Sequence, residues 1–197
     1  MSKVKIQGNA SGTAEFTIEA PNGSTNRTLT LPDKTGTLLD SSGQMYDQWK
    51  LTTTVCGPTD DVLITNWERV LNYGGTGMTH SSGTFSFPST GIYKVVAATT
   101  VYGTAADNQG GFRQWYTTDN STYNVNALGY TGGNSDGNGG SDIWSGTGYI
   151  SSYLDITDIS LCKLQYKTFS LNNAGNCLQG TTSNIQTSVT FERLGDT

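Results

Sequence analysis

From residue 46 to the C-terminus, apolar and polar side chains alternate in short runs. In 185–194, Ile185, Thr187, Val189 and Phe191 share one side, while Gln186, Ser188, Thr190 and Glu192 share the other. In 91–102, Tyr93, Val95, Ala97, Thr99 and Val101 form one face. The opposite face, Ile92, Lys94, Val96, Ala98 and Thr100, is mixed, which fits either a subunit interface or an ordinary exposed face. A period of two belongs to strands, because successive side chains point to opposite sides of a sheet. Further runs occupy 49–55, 62–71, 83–87, 111–117, 123–130, 143–156 and 160–171, most of them separated by turn-forming residues. None carries a convincing helical period. Such a succession of short strands predicts an all-β fold, a two-sheet β-sandwich of jelly-roll type.

The first 45 residues are patterned differently. They hold no Trp or Tyr and a single Phe. Val4 and Ile6 alternate with Lys3 and Lys5, Phe16 and Ile18 with Glu15, Thr17 and Glu19, and Leu29 and Leu31 with Thr28 and Thr30. Pro21-Asn22-Gly23-Ser24 suits a tight hairpin turn, and Pro32 with Gly36 supplies a second turn. A lone hairpin is marginal in water, so this segment needs something to pack against. The expected organisation is therefore a short β-hairpin arm over 1–45, with Phe16, Ile18, Leu29, Leu31 and Pro32 as assembly contacts, a linker at Ser41-Ser42-Gly43-Gln44, and a sandwich domain over 46–197.

Composition agrees with this pattern. Hydrophobic residues make up 34% and charged residues 14%, the balance being rich in Gly, Ser, Thr and Asn. That suits turns and hydroxyl-lined strand faces rather than a helical bundle. The formal net charge is −5 without a Lys/Arg cluster, which argues against a nucleic-acid partner. No apolar run approaches the ~20 residues of a membrane span. Met1-Ser2-Lys3-Val4-Lys5 lacks the apolar stretch of a secretory signal, so synthesis in a cytoplasm is expected. Cys56, Cys162 and Cys177 are odd in number and widely spaced, which predicts buried free thiols rather than a disulfide framework or zinc site. His80, the single histidine, sits in a Ser/Thr/Gly-rich stretch that predicts a surface position.

Candidate chemistry is sparse. Asn134, Asp136 and Asn138 alternate around Gly137 as in an oxygen-ligand loop for calcium, but no Glu closes the loop at EF-hand spacing. A flexible surface loop is the simpler reading, and no metal or cofactor is expected. One histidine and no adjacent nucleophile argue against a catalytic triad. The carboxylates Glu68, Asp107, Asp119, Asp155, Asp158 and Glu192 are scattered, and a glycosidase pair would have to be assembled by the fold. Gly74-Gly75-Thr76-Gly77 has no following Lys to cradle phosphate. Aromatic residues offer a binding role instead. Trp115, Tyr116 and Tyr123 lie in an aromatic-rich run ending in a turn, and Trp144 adjoins the glycine-rich loop. These four are tip contacts for a sugar ring or a neighbouring protein, or else inward packing.

The run Phe85-Ser86-Phe87-Pro88-Ser89-Thr90-Gly91-Ile92-Tyr93-Lys94-Val95 resembles the Phe-x-x-Pro-x-x-Gly-x-Tyr corner of the C1q/TNF-like jelly-roll superfamily. Ser188 to Gly195 resembles the last strand of phage-borne members. Val4 to Asn9 and Arg27 to Leu38 resemble the N-terminal arm of tailed-bacteriophage structural proteins. The combined resemblance implies a homotrimer without enzymatic activity, carried on the virion surface and bound to other virion proteins through its arm. A short tail fibre, spike or receptor-binding component contacting host surface glycan or receptor is the leading expectation. Capsid decoration is the alternative, and an envelope polysaccharide depolymerase a third reading. Members of the superfamily often line the trimer axis with aromatics, which marks Tyr93, Tyr149, Tyr153, Tyr166 and Phe191 as interface or core residues.

Overall fold

The computed structural model describes residues 44–104, 109–132 and 143–197. The predicted arm, up to residue 43, and the candidate calcium ligands Asn134, Asp136 and Asn138 lie outside them. Every regular element among the described residues is a strand, and all strand pairings are antiparallel.

One sheet is organised on a long strand, β6 (Gly91–Thr104), which pairs along its whole length with β9 (Ile143–Ile156). On its other side β6 meets β12 (Ser188–Gly195) and then the two-residue β11 (Cys177–Leu178). β12 continues to β1 (Met45–Leu51) and β1 to β3 (Trp67–Tyr73), while β11 carries β2 (Val55–Cys56). The second sheet runs β4 (Thr79–Ser81), β5 (Thr84–Ser86), β10 (Lys163–Phe169), β7 (Gln109–Thr117) and β8 (Asn124–Gly132). The result is the expected two-sheet jelly roll.

The alternation read from the sequence sets the inner faces. Tyr93, Val95, Ala97, Thr99 and Val101 are all buried on β6, as are Val189 and Phe191 on β12 and Thr187 just before it. Leu164, Tyr166 and Thr168 face them from β10. Phe85 occupies the centre, with ring centroids 5.2 Å from Phe191, 5.5 Å from Trp49 and 5.8 Å from Trp67. Each such buried side chain contributes about 1.5–3 kcal/mol through removal of apolar surface from water. Some of the buried hydroxyls and amides are paired inside this core, although the side-chain amide of Asn176 and the Trp49 indole N–H find no partner among the described residues. Thr99 and Thr187 share a 3.0 Å hydrogen bond, and the Tyr166 hydroxyl donates to Gln114 Oε1 at 3.0 Å.

The predicted corner forms as its residue types require. Pro88 follows the end of β5 and Gly91 opens β6 at φ 138°, a conformation that a side chain would oppose. Tyr93 is then directed inward, and its hydroxyl donates to the Ser89 carbonyl at 2.9 Å.

Three expectations need correction. Cys56 and Cys177 form a disulfide across 121 residues of chain, because β2 and β11 place them directly opposite each other; Cys162 is the buried free thiol. His80 is half-buried on β4 rather than on the surface, its ring 4.8 Å from Phe85 and 5.6 Å from Trp49, with Nε2 accepting the Gly83 N–H at 3.1 Å. The predicted strand 62–71 is two pieces in different sheets. The stretch before Thr65 runs along β10, the Ile64 N–H donating to the Tyr166 carbonyl at 2.9 Å, and β3 starts only at Trp67 in the other sheet.

Candidate interaction surfaces

The five aromatics marked as interface or core separate cleanly. Tyr93, Tyr166 and Phe191 are fully buried between the sheets, whereas Tyr149 is 58% and Tyr153 65% exposed. Both exposed tyrosines stand on the outward face of β9, where Ile150 and Leu154 take the inward positions.

That face belongs to the mixed surface recognised on β6. The register sets its side chains in rows across the sheet. One row runs Tyr153, Lys94, Glu192, Tyr46, Tyr73; the next Ser151, Val96, Thr190, Gln48, Leu71; a third Tyr149, Ala98, Ser188, Lys50, Glu68. Large apolar side chains stand at both ends of these rows: Tyr149 and Tyr153 on β9, and Tyr46, Leu71 and the 75%-exposed Tyr73 on β1 and β3. Between them lie small or hydrogen-bonding residues and one weak ion pair, Lys94 to Glu192 at 3.8 Å.

The outward face of the second sheet is built differently. Lys163, Gln165, Lys167 and Phe169 project from β10, Arg113 and Trp115 from β7, and Val125, Leu128 and Tyr130 from β8. The Arg113 guanidinium lies 4.4 Å over the Phe169 ring and pairs with Asp61 at 2.6 Å; the Lys167 ammonium lies 4.1 Å over the Trp115 ring.

The four proposed tip aromatics fall in different places. Trp115 is on the outward face of β7, within a strand rather than a loop. Tyr116 points the other way, packing against the core while its hydroxyl donates to the Asp155 carbonyl at 3.2 Å; burial and the neighbouring Cys162 thiol raise its pKa. Tyr123 is half-buried immediately before β8, where burial raises its pKa. Trp144 is buried on β9, its indole lying against Gly103, so its ring is not displayed.

At the β7–β8 turn, Tyr116, Asp119, Thr122, Asn124 and Asn126 border an open cleft of about 360 Å³. Asp119 is the only acid there. It accepts from the Thr117 hydroxyl at 2.7 Å and from the Thr122 and Ser121 N–H groups at 2.7 and 2.9 Å, which hold its carboxyl far below the usual range. A carboxylate so committed shapes the turn and is a poor proton acceptor for catalysis. No cluster of three or more His, Cys, Asp or Glu side chains with metal-binding geometry occurs among the described residues.

No protein-family model matches the chain, and no curated sequence is significantly similar to it. Solved structures are similar in fold. Murine APRIL at pH 5.0 superimposes with a TM-score of 0.54 at 15% identity, covering 77% of this chain and 99% of that one. Eiger TNF from S. frugiperda gives 0.56 at 13% identity, covering 78% and 94%. Strand order, corner and these superpositions agree that residues from Met45 onward form a TNF-like jelly roll.

Proposed function

We propose that the protein is a non-enzymatic, homotrimeric surface module of a tailed-bacteriophage virion, most simply a short tail spike or receptor-binding component. The trimer rests on one observation, the outward face of the seven-stranded sheet. Its two apolar ends differ in structure, tyrosines of β9 at one and Tyr46, Leu71 and Tyr73 at the other. A patch that meets a different patch on the next copy builds a heterologous interface, which closes into a threefold ring when each copy is turned by a third of a revolution from the last. Between the ends, Val96, Ala98, Ser188 and Thr190 are small or medium-sized, and the Lys94 and Glu192 charges offset each other. Light scattering after size exclusion is expected to give about three times the 21.0 kDa chain mass.

The phage reading is supported by the arm-like sequence before residue 46, and by the need of such a segment for a host structure. In this reading the chain is made in the host cytoplasm and displayed on the particle, with the arm docked on other virion proteins and the jelly roll directed outward. Adhesion is tested with purified protein on host cells: saturable binding supports it. Saturation of emptied capsids together with a higher capsid disruption temperature, and no cell binding, would replace it with capsid decoration. Removal of residues 1–43, which leaves β1 and its buried Met45 intact, is expected to abolish assembly onto particles while leaving the trimer mass unchanged.

A further inference from the structure

The outward face of the five-stranded sheet, on the other side of the sandwich from the tyrosine-lined face and adjoining it where β8 meets β9, combines aromatic rings with ammonium groups. Register places its side chains in three rows: Phe169, Gly111, Tyr130; Lys167, Arg113, Leu128; Gln165, Trp115, Val125. The centre of the first row must be glycine. A Cβ on Gly111 would collide with the Gly129 carbonyl oxygen and with Tyr130. Without one, the rings of Phe169 and Tyr130 meet across β7 at 5.8 Å, edge to face. Tyr130 remains 53% exposed, so the platform is open to solvent.

Charge distinguishes the cations on this face. Arg113 is neutralised by Asp61 at 2.6 Å and approached by Asp60 at 3.8 Å. Lys167 has no carboxylate partner among the described residues and stands over Trp115; Lys163 donates only to the Ile159 carbonyl, at 2.6 Å. Lys167 thus stands clear of any carboxylate among the described residues, while Lys163 shares its charge with nearby Asp158, on a chain whose net charge is −5. Four residues apart on an extended strand, the Lys163 and Lys167 backbone positions are separated by about 13 Å, a span for a polymer with repeated anionic groups rather than a single sugar. Pyranose rings present C–H faces that stack on aromatic rings, and a carboxylate or phosphate gains a charge-assisted hydrogen bond from an ammonium. A nucleic acid would call for a denser array of cations than three.

We propose that this face binds an anionic polysaccharide, with Lys163 and Lys167 holding its acidic groups and the exposed Tyr130, backed edge-on by Phe169, receiving a sugar ring. The proposal rests on the adhesive reading above and names its ligand class. The probe is polygalacturonate, with neutral dextran and polyglutamate as comparators, in affinity electrophoresis of the full-length protein at low salt. The wild type is expected to be retarded by polygalacturonate, less by polyglutamate and not by dextran, with retardation lost in high salt. Lys163→Gln combined with Lys167→Gln is expected to weaken that binding at least tenfold while leaving circular dichroism and melting temperature unchanged. Trp115→Phe, which keeps a ring, is expected to bind nearly as well as the wild type. Equal retardation of wild type and double variant overturns the proposal, as does equal retardation by polyglutamate, which would assign the face to an acidic protein. Host cells separate the two readings. Cell binding that persists in the double variant and is not competed by polygalacturonate sinks this site and leaves adhesion standing. Lysine-dependent polygalacturonate binding without any cell binding keeps the site and removes the adhesive role.

Discussion

Asp47 is a carboxylate on the inward face of β1, between β12 and β3, shut off completely from solvent. Arg69 donates to it at 3.0 and 3.2 Å and the Met78 N–H at 2.7 Å. Arg69 also donates to the Met78 carbonyl and lies 4.6 Å over Trp49, so this one acid fastens β1 to β3 and to the approach of β4. Asp47→Ala is expected to cost about 3 kcal/mol, since it strands a buried N–H and unpairs the guanidinium; a urea midpoint equal to wild type would refute the assigned role. The clue was present in the sequence, because Asp47 keeps step with Met45, Trp49 and Leu51, but nothing local says what would neutralise it. His80 makes a pH-dependent contribution. Burial lowers its pKa from the ordinary 6.5, and its Nε2 must stay unprotonated to accept from Gly83. The unfolded chain therefore takes up protons first, so stability is full above pH 6.5 and declines as pH falls below it. Asp119 and Asp158, whose pKa values are lowered by hydrogen bonds, begin to act only near their ordinary value of 3.8, so the interval from pH 7.5 to 5 isolates the histidine. Melting temperature is expected to drop across that interval in the wild type and to stay flat in His80→Gln.

At the level of elements, long alternating runs were legible and short ones were not. The run 143–156 coincides with β9, and 91–102 lies within β6, because each buries one complete face and tolerates no slip of register. β11 and β2 are two residues each, too short for any periodicity, and they exist because the chain on either side delivers them to the edge of β6. Their Cys56–Cys177 bond closes a loop of 121 residues. Constraint of the unfolded chain on that scale is worth about 4–5 kcal/mol. Replacing both cysteines by serine is expected to lower unfolding free energy by roughly that amount, and dithiothreitol should destabilise the wild type equally but leave the variant unaffected. A wild type indifferent to dithiothreitol would mean that the bond contributes nothing. Chains made in a reducing cytoplasm would carry these residues as thiols until release.

For the whole molecule, the decisive feature is that each sheet has one face in the core and one left over. On the seven-stranded sheet the leftover face carries the exposed tyrosines of β9. Tyr149→Glu with Tyr153→Glu introduces charge where the trimer would bury rings, at positions that face outward and are more than half exposed in the protomer. The expected outcome is a fall from trimer to monomer mass with an unchanged circular dichroism spectrum; a retained trimer would move the interface elsewhere. Which aromatics belonged to the core and which to this face was left open by the sequence, since Tyr93 and Tyr153 both sit in well-alternating strands.

The sequence by itself determined the all-β class, the alternating faces and the Pro88–Gly91 corner, because each depends on neighbours within a few residues. Only the tertiary structure decided the rest. The Cys56–Cys177 pair, the carboxylate–guanidinium lock of Asp47 and Arg69, the burial of His80 and Trp144, and the platform of Phe169, Tyr130, Trp115 and Lys167 all join residues from different strands. Such contacts follow from strand order and register across the sheets, which no period along the chain encodes.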